Sequence, residues 1–334
     1  MTGSVALGSR ARRAPENIRT MSVLSRVLGS ECLSVLLFHR VQPVQDPLFP
    51  NEVWADNFRA KMAVLRRFFN VLPIASAVEL LAAGRLPPRA VVITFDDGYA
   101  DNHDVALPIL RNLGLPATFF IATGFLNGGR MWNDSVIETV RRVAGDQLDL
   151  TAIDLGRHDT SSLDARRSAI GALLGRLKYM PESVRRETVD KISALAGVRL
   201  PDDLMMRDEQ VRALHREGMT IGAHTHTHPI LASESGQRSQ DEIEGGKRTL
   251  EGIIGAPVRF FAYPNGKPRK DYESRHVDQV RAAGFAAAVS TAAGACVRAA
   301  DPFQLARFTP WDIAPGRFAA RLLLSRRHLP AALV

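Results

Sequence analysis

Apolar and polar positions along the 334-residue chain alternate between two textures. The first is a short, continuous apolar run rich in β-branched and aromatic residues, the pattern of a strand buried on both faces. Seven such runs occur: CLSVLLFHRV (32–41), AVVITFDDG (90–98), PATFFIATG (116–124), MTIGAHTHTHP (219–229), VRFFAYPNG (258–266), GFAAAVST (284–291) and FQLARFTPW (303–311). The second texture is helical. Phe58, Met62, Leu65 and Phe69 recur at helical spacing within 55–69, and 102–113 reads the same way. Strands alternating with helices at this spacing predict βα units and therefore a parallel sheet or barrel. Residues 131–216 break the rhythm. They are mostly helical in pattern and rich in Arg and Glu, and are expected to form a helical insertion within one barrel spanning 31–315. Residues 1–30 are arginine-rich and poorly patterned, and read as a flexible arm. Residues 316–334 begin with GRFAARLLLSRRHL, a basic amphipathic helix expected to pack on the barrel, with a membrane-surface role as the alternative.

Composition changes this picture little. Hydrophobic residues at 46% and charged residues at 23% are ordinary for a globular chain long enough for a sizeable core. The net charge is +8, but no lysine-rich run or aromatic–basic repeat accompanies it, so nucleic acid is not an expected partner. The two cysteines, Cys32 and Cys296, match no metal or redox spacing and are expected to be buried, reduced thiols. The N-terminus is basic without an apolar segment or cleavage site, so no secretory signal is expected, and Met21 is an alternative start. No apolar run reaches membrane-spanning length. A cytoplasmic location is the expectation, with the basic tail compatible with the inner face of a membrane. Oligomeric state is not legible.

Two motifs carry chemistry. TFDDG (94–98) places adjacent acids at the end of an apolar strand, where desolvating them is costly unless something offsets the charge. At a strand-to-loop junction both can reach one cleft, one binding a metal and the other free as a base. HTHTH (224–228) concentrates three of the nine histidines behind another apolar strand. Imidazoles and a carboxylate together suit zinc or a similar first-row divalent ion, and a three-ligand set leaves positions open for chemistry.

These motifs resemble those of the polysaccharide deacetylases of the NodB-homology type, carbohydrate esterase family four. The resemblance covers roughly residues 32–312. TFDDG resembles the family's first motif, HTHTH its His-[Ser/Thr]-x-x-His motif, FAYPNG (261–266) its third, and AGFAAAVST a later strand. It implies a distorted (β/α) barrel and metal-assisted removal of an N-acetyl group from a saccharide. Position by position, it implies Asp96 as general base and Asp97, His224 and His228 as ligands of a divalent metal, zinc by preference, with cobalt or another first-row ion tolerated. Thr225 would steady the loop, the backbone N–H of Asn265 after Pro264 would meet the oxyanion, and Tyr263 would lie beside the cleft. His226 ranks behind the two matching histidines as a ligand.

Two positions depart from the family pattern. Ala262 stands where an Arg commonly orients the base, and Leu305-Ala306-Arg307 stands where Leu-x-His commonly supplies the acid. The expectation is that Arg307 brings the positive charge to Asp96 and that His39, at the end of the first strand, protonates the leaving amine. Arg259 is a weaker candidate. Trp132, Trp311, Tyr263 and Phe125 are the available platforms for a sugar ring. Hydrolysis of a small non-sugar amide, or carbohydrate binding without catalysis, are the rival readings.

Overall fold

The computed structural model describes residues 32–330 and 333–334. The arm expected over 1–30 and the choice of start between Met1 and Met21 lie outside the described residues. Among the described residues eleven strands run in chain order: β1 (Cys32–Phe38), β2 (Asn70–Val71), β3 (Ala90–Phe95), β4 (Thr118–Ile121), β5 (Gln147–Leu150), β6 (Gly156–Asp159), β7 (Thr220–Ala223), β8 (Phe260–Ala262), β9 (Ala287–Ala293), β10 (Cys296–Val297) and β11 (Leu305–Phe308). Seven of them, each overlapping one of the seven apolar runs, pair in parallel in the order β1-β11-β9-β8-β7-β4-β3. Pairing of β1 with β3, from Ser34 opposite Val91 to Phe38 opposite Phe95, closes the ring into a (β/α) barrel.

Strand alternation sorts the side chains. Leu33, Val35, Val92, Phe120, Phe260, Val289 and Leu305 cluster with the helix Ile74–Ala82. Leu36, Phe38, Ile93, Phe95, Phe119 and Ile121 join a second cluster with the outer helices. Both faces of every barrel strand are therefore covered, which is why the runs are continuously apolar. Gly222 is required on the inner face, because a Cβ there would come within 2.4 Å of the Phe120 ring.

The stretch 131–216 holds helices Trp132–Arg142, Leu163–Leu177, Glu182–Leu195 and Asp208–Arg216. It also holds the antiparallel β5–β6 hairpin, which the helical reading did not foresee. Its four-residue strands are half exposed, and only Leu148 and Leu150 alternate inward, too short a signal to stand out. Val136, Val140, Leu173 and Ile192 build a separate small core with them. Val211 and Leu214, on the last of these helices, belong to the main core. The C-terminal helix Pro315–Ser325 buries Phe318, Ala319, Leu322 and Leu323 in that main core. Cys32 and Cys296 are buried free thiols. Among the described residues no helix is long and apolar enough to cross a membrane.

Candidate active site

Parallel strands present all their C-terminal ends on one rim, and the period of two decides what points inward there. Counting by twos from the interior positions Val92, Gly222 and Leu305 leads to Asp96 after β3, His224 after β7 and Arg307 on β11. Asp97 has the opposite parity and reaches the same cleft through a left-handed backbone, with φ of 79°. Four of the eight non-glycine residues with positive φ among the described residues are Asp97, Thr225, His228 and Asn265. Such conformations cost energy and concentrate where geometry serves function.

Asp97, His224 and His228 offer ligand atoms that all lie within 4.8 Å of one another. The Asp97 Oδ1 is 3.4 Å from His224 Nε2 and 3.5 Å from His228 Nε2. The Nδ1–H of His224 donates to the carbonyl of Ala262 at 2.7 Å. A carbonyl can only accept, so this bond fixes the tautomer and leaves Nε2 with its lone pair toward Asp97, the arrangement a metal ligand requires. Burial opposed by Asp96 and Asp97 leaves the His224 imidazole above its ordinary pKa, whereas burial brings His228 down to about 4. The donor set fits a divalent cation of the zinc type. His226 is turned away: it is exposed and its Nδ1 pairs with Thr123 Oγ1 at 2.9 Å.

The loop carrying the histidines is held from inside and outside. Thr225 Oγ1 accepts from the His228 N–H at 3.1 Å and donates to the His224 carbonyl. Glu242, buried on the helix Gly236–Ile254, accepts from the N–H groups of His226 and Thr227 at 2.9 and 2.6 Å and from the Thr227 hydroxyl at 2.8 Å. Nothing in the sequence around Glu242 announces this role; the contact comes from docking a distant helix against the loop.

Asp96 is buried and gripped by Arg307. The guanidinium donates to Oδ1 and Oδ2, both at 2.7 Å, and its Nε–H donates to the Ser290 carbonyl at 2.8 Å. Burial would raise the Asp96 carboxyl, but Arg307 and His224 outweigh it and hold it below the usual carboxylate range. The positive charge beside Asp96 thus comes from Arg307 on β11, with Ala262 on β8 carrying none.

His39 follows β1, and its carbonyl accepts from Asn102 Nδ2 at 2.8 Å. Its side chain lines a cleft of about 670 Å³ that Asp97, Tyr99, Asp134 and Trp311 also line. Pro264 is buried beside Asn265, and among the described residues no backbone acceptor takes the Asn265 N–H. Tyr263 is a correction. It is fully buried, stacks on Tyr272 at 3.9 Å, and belongs to the main core, because its parity points it outward from the barrel toward the helices. Arg259 is exposed and away from the cleft lining. Tyr99 and Asp134, by contrast, sit in the cleft without having been singled out in the sequence.

Comparison with known proteins agrees with this geometry. The polysaccharide deacetylase family model matches residues 83–165 and 176–288, more than half of the chain. YxkH of Bacillus subtilis (strain 168), a protein assigned to the polysaccharide deacetylases, is 21% identical over 277 residues, covering 82% of this chain and 70% of its own length. Among solved structures, the Streptococcus pyogenes deacetylase PplD superposes with a TM-score of 0.59 at 17% identity, over 88% of this chain and 99% of that one. IcaB from Ammonifex degensii does so with a TM-score of 0.57 at 18% identity, over 89% and 97%. The chain belongs to the polysaccharide deacetylase family and is an N-deacetylase hydrolase of the (β/α) barrel type.

Proposed function

We propose that this chain removes N-acetyl groups from an amino-sugar-containing saccharide or polysaccharide precursor by metal-assisted hydrolysis, releasing acetate. The observation that carries the reading is the Asp97–His224–His228 cluster lying beside an Asp96 carboxylate already paired with Arg307. Asp97, His224 and His228 would hold a divalent ion, zinc by preference, and that ion would polarise the amide carbonyl and acidify water.

The chain's own residues supply the rest. Asp96, kept ionised by Arg307, takes a proton from the attacking water as its oxygen adds to the amide carbon. The oxyanion faces the backbone N–H of Asn265, a preorganised donor. The C–N bond breaks as His39 gives the nitrogen a proton, leaving acetate and a free amine.

A saccharide is favoured over a small amide by Trp311. Trp132 is packed into the insertion, Phe125 is half-buried and Tyr263 is in the core, but Trp311 is 72% exposed at the cleft edge. Its loop is pinned from behind by Asn57 donating to the Ile313 carbonyl at 2.6 Å and Lys61 donating to the Pro310 carbonyl at 3.1 Å. An exposed indole on a pinned loop offers a surface on which a sugar ring stacks.

The test combines metal analysis of the purified protein with acetate release from N-acetylated oligosaccharides and from small N-acetyl amides. Stoichiometric metal and preference for oligosaccharides are expected. Failure of any first-row metal to support acetate release would overturn the proposal, and equal turnover of small amides would remove the saccharide assignment.

A further inference from the structure

The cleft contains a buried acid that the proposed reaction does not use. Asp134 sits in the first turn of the helix Trp132–Arg142 and is 5% exposed, yet it lines the same cleft as Asp97 and His39. Its two oxygens lie 3.2 and 3.1 Å from one donor, the hydroxyl of Tyr99. A phenol has a single proton to give, so half of this carboxylate's nearest accepting capacity is unmet. The neighbouring charges are committed elsewhere. Arg40 donates to Asp101 at 2.8 Å and lies over the Tyr99 ring at 4.9 Å. Arg141 and Arg142 hold Glu138, one turn further along the same helix. Burial, with Asp97 and Glu138 adding to it, outweighs the opposing Arg40 charge and the Tyr99 hydrogen bond and pushes the Asp134 carboxyl up to about 7. Tyr99 is 4% exposed and two positions beyond Asp97, so the pair is tied to the candidate ligand loop by a short piece of chain.

An under-satisfied buried carboxyl facing a cleft is costly unless a ligand completes its hydrogen bonds. We infer that Asp134 and Tyr99 form a subsite that accepts a hydroxyl group of the sugar ring whose N-acetyl group reacts, fixing that ring against Asp97 and His39. This rests on the deacetylase reading of the cleft and adds the polar contact that selects a hydroxylated ring over a plain amide. A sugar hydroxyl donates to the free carboxylate oxygen while the Tyr99 hydroxyl keeps the other.

Binding of an N-acetylglucosamine tetrasaccharide to the intact chain is measured by calorimetry, and turnover is followed as acetate release. Asp134→Asn is expected to weaken binding about 10-fold or more and to raise KM by a similar factor, with kcat within about threefold. Tyr99→Phe keeps the ring under Arg40 and removes only the hydroxyl, so it is expected to weaken binding several-fold and decides the matter if Asp134→Asn does not fold. Among tetrasaccharides lacking one hydroxyl, a single analogue should lose its affinity with the native chain and lose almost nothing further with Asp134→Asn. Unchanged binding in both variants, equal losses for every deoxy analogue, or a collapse of kcat at constant KM would each overturn the subsite. If the native chain releases no acetate, the deacetylase reading fails by that result, while the binding comparison still decides this one.

Discussion

At the scale of single residues, Asp96 and Arg307 show how a missing motif position is replaced through space. A buried carboxylate without a partner is heavily penalised, and breaking a buried pair strands a charge. Arg307→Met is therefore expected to destabilise the chain by about 3–5 kcal/mol, read by denaturant unfolding, and to lower kcat by roughly 10²–10³-fold. The pH dependence has a definite sign. With Arg307 present the Asp96 pKa is depressed, so the pair's stabilisation is present above the unfolded carboxyl's pKa and is lost as pH falls through the lower folded value. Asp96 then does not set the acid limb of activity near neutrality. Removing Arg307 leaves burial unopposed, and the acid limb should move to higher pH. His39→Gln should cut turnover about 10²–10⁴-fold with metal content intact if His39 is the acid. Near-normal turnover would remove it from that role.

At the scale of elements, two helices act on the cleft from behind. The helix Gly236–Ile254 clamps the histidine loop through Glu242, and it can come that close because a Cβ at Gly246 would sit 2.6 Å from the Thr225 carbonyl. Glu242→Gln and Gly246→Ala are expected to weaken metal affinity about 10–100-fold, measured by competition with a chelating dye. The helix Ala55–Phe68 carries Lys61, which is 2% exposed and donates to the carbonyl before Trp311. Burial lowers its pKa to about 8, with Asp312 opposing and Arg321 assisting. Between that value and about 10.4 the unfolded chain binds the extra proton, so stability should rise with pH there. The native chain should gain on the order of 1–3 kcal/mol relative to Lys61→Met between pH 8 and 10, and parallel curves for the two would refute the buried-lysine assignment.

At the scale of the whole molecule, the barrel and the candidate metal site are separable. The core clusters lie along and around the strands, while the candidate ligands occupy one rim. Chelation is therefore expected to abolish acetate release while leaving a cooperatively folded barrel. The stabilisation lost would be about 2.7 kcal/mol when metal had been present at 100 times its Kd, restored on adding zinc. Loss of secondary structure on chelation, seen by circular dichroism, would contradict this separation.

The sequence by itself determined the seven barrel strands, because a strand covered on both faces must be apolar throughout and such runs are local and long enough to read. It also singled out Asp96, Asp97, His224 and His228 as candidates, since each motif lies at the end of such a run. Short or half-exposed elements were not legible: β5 and β6, with four residues each, bury only Leu148 and Leu150 between them, and β2 and β10 have two residues each. Tertiary structure alone decided the outward burial of Tyr263, the clamp by Glu242, and the placing of Asp134 and Tyr99 in the cleft. The pairing of Arg307 with Asp96, 211 positions away in the chain, was an expectation from the sequence, but its two-pronged geometry came only with barrel closure. Hydrophobic periodicity records which face of an element is covered, but the polar partners of a buried charge are chosen by whatever barrel closure and helix docking bring within hydrogen-bonding reach.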